Sequence, residues 1–192
     1  METKKYLEGE TIQHILCASS GRIFFSGDGQ EIPIKGNLRS KYLQVLVMLL
    51  KAGKEGISKE RLMVRIASGT DSRDKMMNNL RQQIFVLRRT MNGLEFPEGQ
   101  YIVSVKGRYY FSRDQDVMTD TGQIDQLYQV LRSGKCGKEK RTEILREICN
   151  IYSGEFLPML SGEEWAAVEG AYYQNIFFEC MKELCGLWKL TV

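Results

Sequence analysis

The amino-acid sequence predicts an α+β protein in two parts: a mixed part with a small antiparallel sheet over about residues 10–113, and an all-helical part over about 114–192. Three observations predict it. Short apolar runs broken by Gly and Asp open the chain and return near Tyr101, as strands and turns do. From about residue 114 the apolar spacing becomes helical and stays so. Charge divides along the same line: residues 1–113 hold 19 Lys+Arg against 11 Asp+Glu, whereas 114–192 hold 8 against 13, although the whole chain carries only +3. A basic first part suits a polyanionic partner such as nucleic acid.

The run "ILCASSGRIFFSGDGQEIPI", Ile15 to Ile34, reads as a small antiparallel sheet, with Asp28-Gly29 as a hairpin turn. In "NLRSKYLQVLVMLLKAGKEG", Leu43, Leu46, Val47 and Leu50 follow the i, i+3, i+4, i+7 spacing of a helix over 39–52, with Gly53 just past its end. Ser58 stands at an N-cap position before Leu62, Met63 and Ile66, predicting a short helix over about 59–67. After "SGTD", Asp71 or Ser72 caps a longer helix over about 73–91 whose inner stripe is Met76, Leu80, Ile84, Leu87 and Met91. Two helices around a Gly-containing turn form a helix-turn-helix candidate. "YIVSVKGRYYFS", over about 101–112, then supplies a hairpin with Lys106 and Gly107 at its tip. Sheet, helix, helix-turn-helix and hairpin, in that order, make a winged helix.

The second part predicts two antiparallel helices and a third, longer one. The first places Ile124, Leu127, Val130 and Leu131 on one stripe, and the second Ile144, Leu145, Ile148 and Ile151 or Tyr152, with Gly134 and Gly154 as stops. Ser161 with Glu164 reads as a capping box for the third, which runs through Trp165, Val168, Tyr172 and Ile176 to about Gly186. Tyr172, Tyr173, Phe177, Phe178 and Trp188 make that helix aromatic on more than one face, through core packing or a partner surface.

Functional chemistry concentrates on the helix over 73–91. Opposite its apolar stripe stand Lys75, Asn78, Gln82, Phe85 and Arg89, flanked by Asn79, Arg81, Val86 and Arg88, with Arg73 at its start. Lys and Arg bind phosphates or guanine edges, Asn and Gln pair bidentately with adenine, and Phe85 suits a thymine methyl or packing on the wing or a partner. A basic amphipathic helix is by itself often only a solvated surface. The preceding capped helix, together with Lys106 and Arg108 on the hairpin, turns it into one docking surface. On this reading Arg39, Lys41, Arg88, Arg89 and the wing residues Lys106 and Arg108 position the duplex backbone, Lys75, Asn78, Asn79 and Gln82 read bases, and Arg73, Arg81 and Phe85 belong to the same DNA-binding surface.

"LRSKYLQVLVMLLKAGKEGISKERLMVRI", "NNLRQQIFVLRRTM" and "YIVSVKGRYYFS" together resemble the winged-helix domain of OmpR-type transcriptional regulators. "IYSGEFLP" followed by Trp165 resembles the bacterial transcriptional activation domain, a module of tetratricopeptide-like helix pairs found in the antibiotic-regulator class. The resemblance covers about residues 14–186. It implies a cytoplasmic, sequence-specific, double-stranded-DNA-binding regulator that contacts RNA polymerase and forms a homodimer through its helical domain. Phe85 and Val86 stand where the family often has Ser-Arg, and Tyr109 replaces the second wing glycine.

Other functions find less support. The five cysteines include no Cys-x-x-Cys pair and have His14 as the one imidazole in the chain, so reduced thiols are expected and no metal site. "SGDGQ" and "GKCGKEKR" lack phosphate-loop spacing, and no catalytic triad or cofactor motif is present, so neither an enzyme nor a cofactor is expected. No apolar run is long enough for a membrane span. Two rival readings remain: a protein-interaction scaffold that uses both parts without DNA, and a regulator with an effector site in its helical part.

Overall fold

The computed structural model describes residues 14–18, 22–27, 30–34, 36–37, 39–67, 69, 71–94, 100–111 and 118–189. It is an α+β, predominantly helical protein with a three-stranded antiparallel sheet. Two compact units divide the chain: Met1–Ile15 with Phe24–Val117, and Leu16–Ile23 with Met118–Val192.

Three strands open the chain: β1 (His14–Ala18), β2 (Arg22–Gly27) and β3 (Gln30–Pro33). β2 and β3 pair antiparallel from Phe24↔Pro33 to Gly27↔Gln30; the expected turn residues Asp28 and Gly29 lie outside the described residues. So do the side chains of His14 and Cys17.

In the first unit α1 (Lys41–Ala52) is the core element. Every residue from Leu43 to Leu50 is buried, so the stripe of Leu43, Leu46, Val47 and Leu50 is only part of what it hides. The added residues, Val45, Met48 and Leu49, are apolar as well, which lets the helix be enclosed by α2 (Lys59–Ile66), α3 (Arg73–Asn92) and the sheet at once. Gln44, the polar exception, donates from Nε2 to the Arg39 carbonyl at 3.2 Å.

Both expected N-caps form. The Ser58 hydroxyl accepts from the Arg61 N–H at 3.3 Å, and Ser72, rather than Asp71, accepts from the Lys75 N–H at 3.4 Å. α3 buries Leu80, Ile84, Leu87 and Met91, while Met76 is only half-buried.

The sheet of this unit has the order β4 (Ile57–Ser58), β6 (Arg108–Phe111), β5 (Ile102–Val105). β5 and β6 form the expected hairpin, from Ile102↔Phe111 to Val105↔Arg108. Its two turn residues both have positive φ, 48° at Lys106 and 76° at Gly107, which twists the turn in the sense tight hairpins require. β4 is a finding of the structure: Ile57 and Ser58 lie opposite Tyr109 and Arg108, between a 3-10 turn (Gly53–Glu55) and α2. Gly56 makes the approach possible. Its φ is 60°, and a Cβ there would stand 2.4 Å from the Tyr110 ring and 2.7 Å from the Tyr109 carbonyl.

The larger segment of the second unit opens with β7 (Met118–Thr119) and packs α4 (Asp120–Ser133) on α5 (Lys138–Ile151), and α5 on α6 (Glu164–Lys189). Ile124, Leu131, Ile144, Leu145 and Ile148 are buried as the spacing predicts, but Val130 is 44% exposed. Two expectations for α6 change. Ser161 has helical backbone angles after a 3-10 turn (Pro158–Leu160), and α6 opens at Glu164, so the capping box does not form. The N–H groups of Ala166 and Ala167 instead bond to the Glu163 carbonyl at 2.9 and 3.1 Å. The buried stripe of α6 is Ala166, Tyr173, Ile176 and Cys180; Val168 and Tyr172 are 64% and 44% exposed.

Polar clasps join these helices. Arg141 holds Glu183 with two guanidinium N–H groups and gives a third to the Leu131 carbonyl at 3.0 Å, closing the end of α4. Asp125 of α4 accepts from the Tyr172 and Tyr173 hydroxyls at 3.1 and 3.0 Å.

Candidate nucleic-acid interface

Burial of one stripe of α3 dictates what the opposite stripe presents. Lys75, Asn78, Gln82, Phe85 and Arg89 are all exposed, Phe85 to 67%. Arg73 and Arg81 are exposed beside them, and Arg81 Nη1 reaches Asn78 Oδ1 at 3.5 Å. This five-residue face advances by three or four residues per step, so it stays on one side through the helix. Asp74 in the first turn complements the helix N-terminus and leaves cations to dominate the rest.

Asn79 and Val86, two of the four flanking positions, are half-buried. Asn79 faces the junction of α2 and α3, donating to the Ile66 carbonyl at 3.5 Å and accepting from Gln83 Nε2 at 2.9 Å. Val86 is therefore partly a packing residue, whereas Phe85 is a surface one.

Two arginines have a structural task. Arg88 donates from Nε and Nη2 to the Ile102 carbonyl at 3.1 and 3.0 Å, fastening α3 to β5. Arg108 donates to the Glu55 carbonyl at 3.1 Å and the Gly56 carbonyl at 2.9 Å, fastening the hairpin to the turn before α2. Guanidinium donors bonded to backbone carbonyls in this way are withdrawn from an incoming phosphate. The Gly107 carbonyl adds a further tie, accepting from the Lys59 N–H at 2.9 Å. Hairpin and α2 are thus held together at the tip, with Lys106 exposed.

Arg39 is exposed and Lys41 half-buried at the opening of α1; neither belongs to the α3 face. The Arg39 N–H bonds to Asn37 Oδ1 at 2.9 Å. α2 carries cations that the sequence reading left aside, exposed Arg61 and half-buried Lys59 and Arg65. Their signal was available in the polar positions around Leu62 and Ile66.

No protein-family model and no curated protein matches the sequence. What the face can do chemically therefore rests on its residues: cations able to meet phosphate, amides able to pair with base edges and one exposed ring for an apolar contact, on an α-helix, an element a major groove admits.

In the second unit a cavity of about 20 Å³ lies among Asp120, Thr121, Ile124, Tyr152, Phe156 and Tyr173. That is room for roughly one water and too small for an effector. Among the described residues no helix is long and apolar enough to cross a membrane.

Proposed function

We propose that the first unit is a winged helix-turn-helix that binds double-stranded DNA in a sequence-specific manner, and that the protein regulates transcription. α3 enters the major groove with Lys75, Asn78 and Gln82 toward the bases. The β5–β6 hairpin lays Lys106 on the backbone or into the minor groove. The second unit serves as the tetratricopeptide-like activation domain, meeting RNA polymerase. The observation that carries this reading is the exposed face of α3, where amide, cationic and aromatic side chains alternate on a helix whose other face is fully committed to the core. Its support is chemical complementarity together with the tie between the hairpin and the start of α2, which holds the two at a set distance.

Selection of bound fragments from a random duplex library, followed by fluorescence anisotropy on the enriched sequence at several salt concentrations, tests it. Enrichment of one motif, with affinity falling steeply as salt rises, is the expected outcome. Recovery of no motif, together with binding indifferent to salt, refutes it and favours the protein-interaction scaffold.

A further inference from the structure

On the outer face of α3, Phe85 alone can neither donate nor accept a hydrogen bond. It stands between Gln82 and Arg89, 67% exposed, while the packing tasks at this level fall to its neighbours. Ile84 and Leu87 are buried, Val86 is half-buried, and Arg88 is fastened to the Ile102 carbonyl. The ring is turned away from the fold.

A DNA duplex offers such a ring few partners. The faces of a phenyl group carry partial negative charge, so phosphates repel it. In the major groove adenine, guanine and cytosine present hydrogen-bonding edges, which a phenyl strips of water without replacing the bond. Thymine adds an apolar group, its C5-methyl. We infer, resting on the DNA binding proposed above, that Phe85 is a specificity-determining residue that reads a pyrimidine C5-methyl, that of a thymine, beside the base pair met by Gln82.

Helix geometry sets the position. From Asn78 to Gln82 α3 rises about 6 Å, and from Gln82 to Phe85 about 4.5 Å. Base pairs follow one another at about 3.4 Å, so these three side chains lie over about four successive pairs, with the Phe85 pair one step beyond that of Gln82. Two effects then act together. Covering one methyl-sized group with the ring raises affinity about fourfold. Any other pair at that position leaves polar edge atoms dry and unpaired, and a wrong base pair costs about 5- to 150-fold. Phe85 selects by exclusion as well as by attraction.

Selection from a random duplex library with the full chain, and with Phe85→Ala, Phe85→Leu and Gln82→Ala, finds the position. The wild-type motif is expected to contain one T·A pair whose preference is lost in Phe85→Ala and kept in Phe85→Leu. The pair relaxed by Gln82→Ala should lie next to it. Retention of the other motif positions shows that each variant is folded. Fluorescence anisotropy then isolates the methyl. Uracil in place of that thymine should weaken wild-type binding about fourfold and leave Phe85→Ala binding unchanged. A 5-methylcytosine pair at the same position should bind more tightly than a cytosine pair and less tightly than the thymine pair, which marks thymine as the source of the methyl. A motif without such a pair, an equal response of wild type and Phe85→Ala to uracil, a preference for 5-methylcytosine over thymine, or a Gln82-dependent pair more than two steps away overturns the role of Phe85 and leaves DNA binding standing. Enrichment of no motif at all overturns both.

Discussion

Removal of single cations from the first unit separates those that meet phosphate from those that hold the fold. Four exposed cations surround the base-facing residues of the proposed contact surface: Arg73, Arg81, Arg89 and Lys106. If each neutralises one phosphate, the slope of log affinity against log salt is about −3.6, and raising salt from 50 to 200 mM weakens binding about 150-fold. Arg89→Ala or Lys106→Ala removes one contact, bringing the slope to about −2.7 and the loss over that range to about 40-fold. Arg88 is the control of equal charge. Its guanidinium is bonded to the Ile102 carbonyl, so Arg88→Ala leaves the slope near −3.6 and instead costs about 1.5–3 kcal/mol of stability, the range for a charged hydrogen bond to backbone. Anisotropy titrations over four salt concentrations, paired with urea unfolding of each variant, supply both readings. A drop of about one slope unit in Arg88→Ala with unchanged stability, or no drop in Arg89→Ala and Lys106→Ala, refutes the division of labour.

Three further substitutions test the fold. Gly56→Ala is expected to cost about 2–4 kcal/mol by urea unfolding, because a Cβ at φ 60° meets both the Tyr110 ring and the Tyr109 carbonyl; a loss under 1 kcal/mol would show that β4 can move aside. Tyr173 lies buried, with its hydroxyl on Asp125, and burial first, then the Asp125 charge, raises its pKa above the ordinary value. A raised folded value gives stability that is whole below the unfolded tyrosine range near pH 10 and declines as pH rises beyond it. Melting temperatures between pH 8 and 11.5 should therefore fall more steeply for the wild type than for Tyr173→Phe, and parallel curves would count against the assignment. Glu183 has the opposite sign: hydrogen bonding to Arg141 lowers its pKa, so its contribution is present above the ordinary glutamate range and disappears as pH falls through the lowered value. Both side chains are about one-third exposed, so Glu183→Gln should cost only about 0.5–1 kcal/mol at pH 7 and progressively less as pH falls below the ordinary glutamate range; a cost that does not decline with acid would exclude the ion pair as its source.

Periodicity and local chemistry account for what was legible in the chain. Ser58 and Ser72 were readable as caps because capping depends on a hydroxyl within three residues of the N–H it serves. The inner and outer stripes of α3 were readable because a long helix with one apolar stripe has only one way to face a core. The β5–β6 hairpin announced itself through β-rich runs around Lys106-Gly107. A capping box at Ser161 looked equally sound, yet Pro158 initiates a 3-10 turn that puts Ser161 in helical angles too early, so a nonlocal-looking choice was decided by the turn before it.

By itself, then, the sequence determined where α2, α3 and the β5–β6 hairpin lie and which face of α3 points outward, properties carried by neighbours within about one helical turn, and that the basic charge belongs to the first part of the chain. Tertiary structure decided the rest. α1, expected as a buried helix, hides Gln44, Val45, Met48 and Leu49 beyond its predicted stripe because neighbours enclose it on every side; β4 formed because Gly56 lets a two-residue strand approach Tyr109. Arg88 and Arg108 were assigned to carbonyls 14 and 52 residues away in the chain, a commitment invisible to any local window. The rotation of α6 was likewise chosen by its neighbours: with apolar residues on several faces, only packing against α4 and α5 selects Tyr173 and Cys180 for burial and leaves Val168 and Tyr172 exposed. Hydrophobic burial is non-directional, so a helix that is apolar on more than one side does not specify its own orientation; contact with the rest of the molecule does.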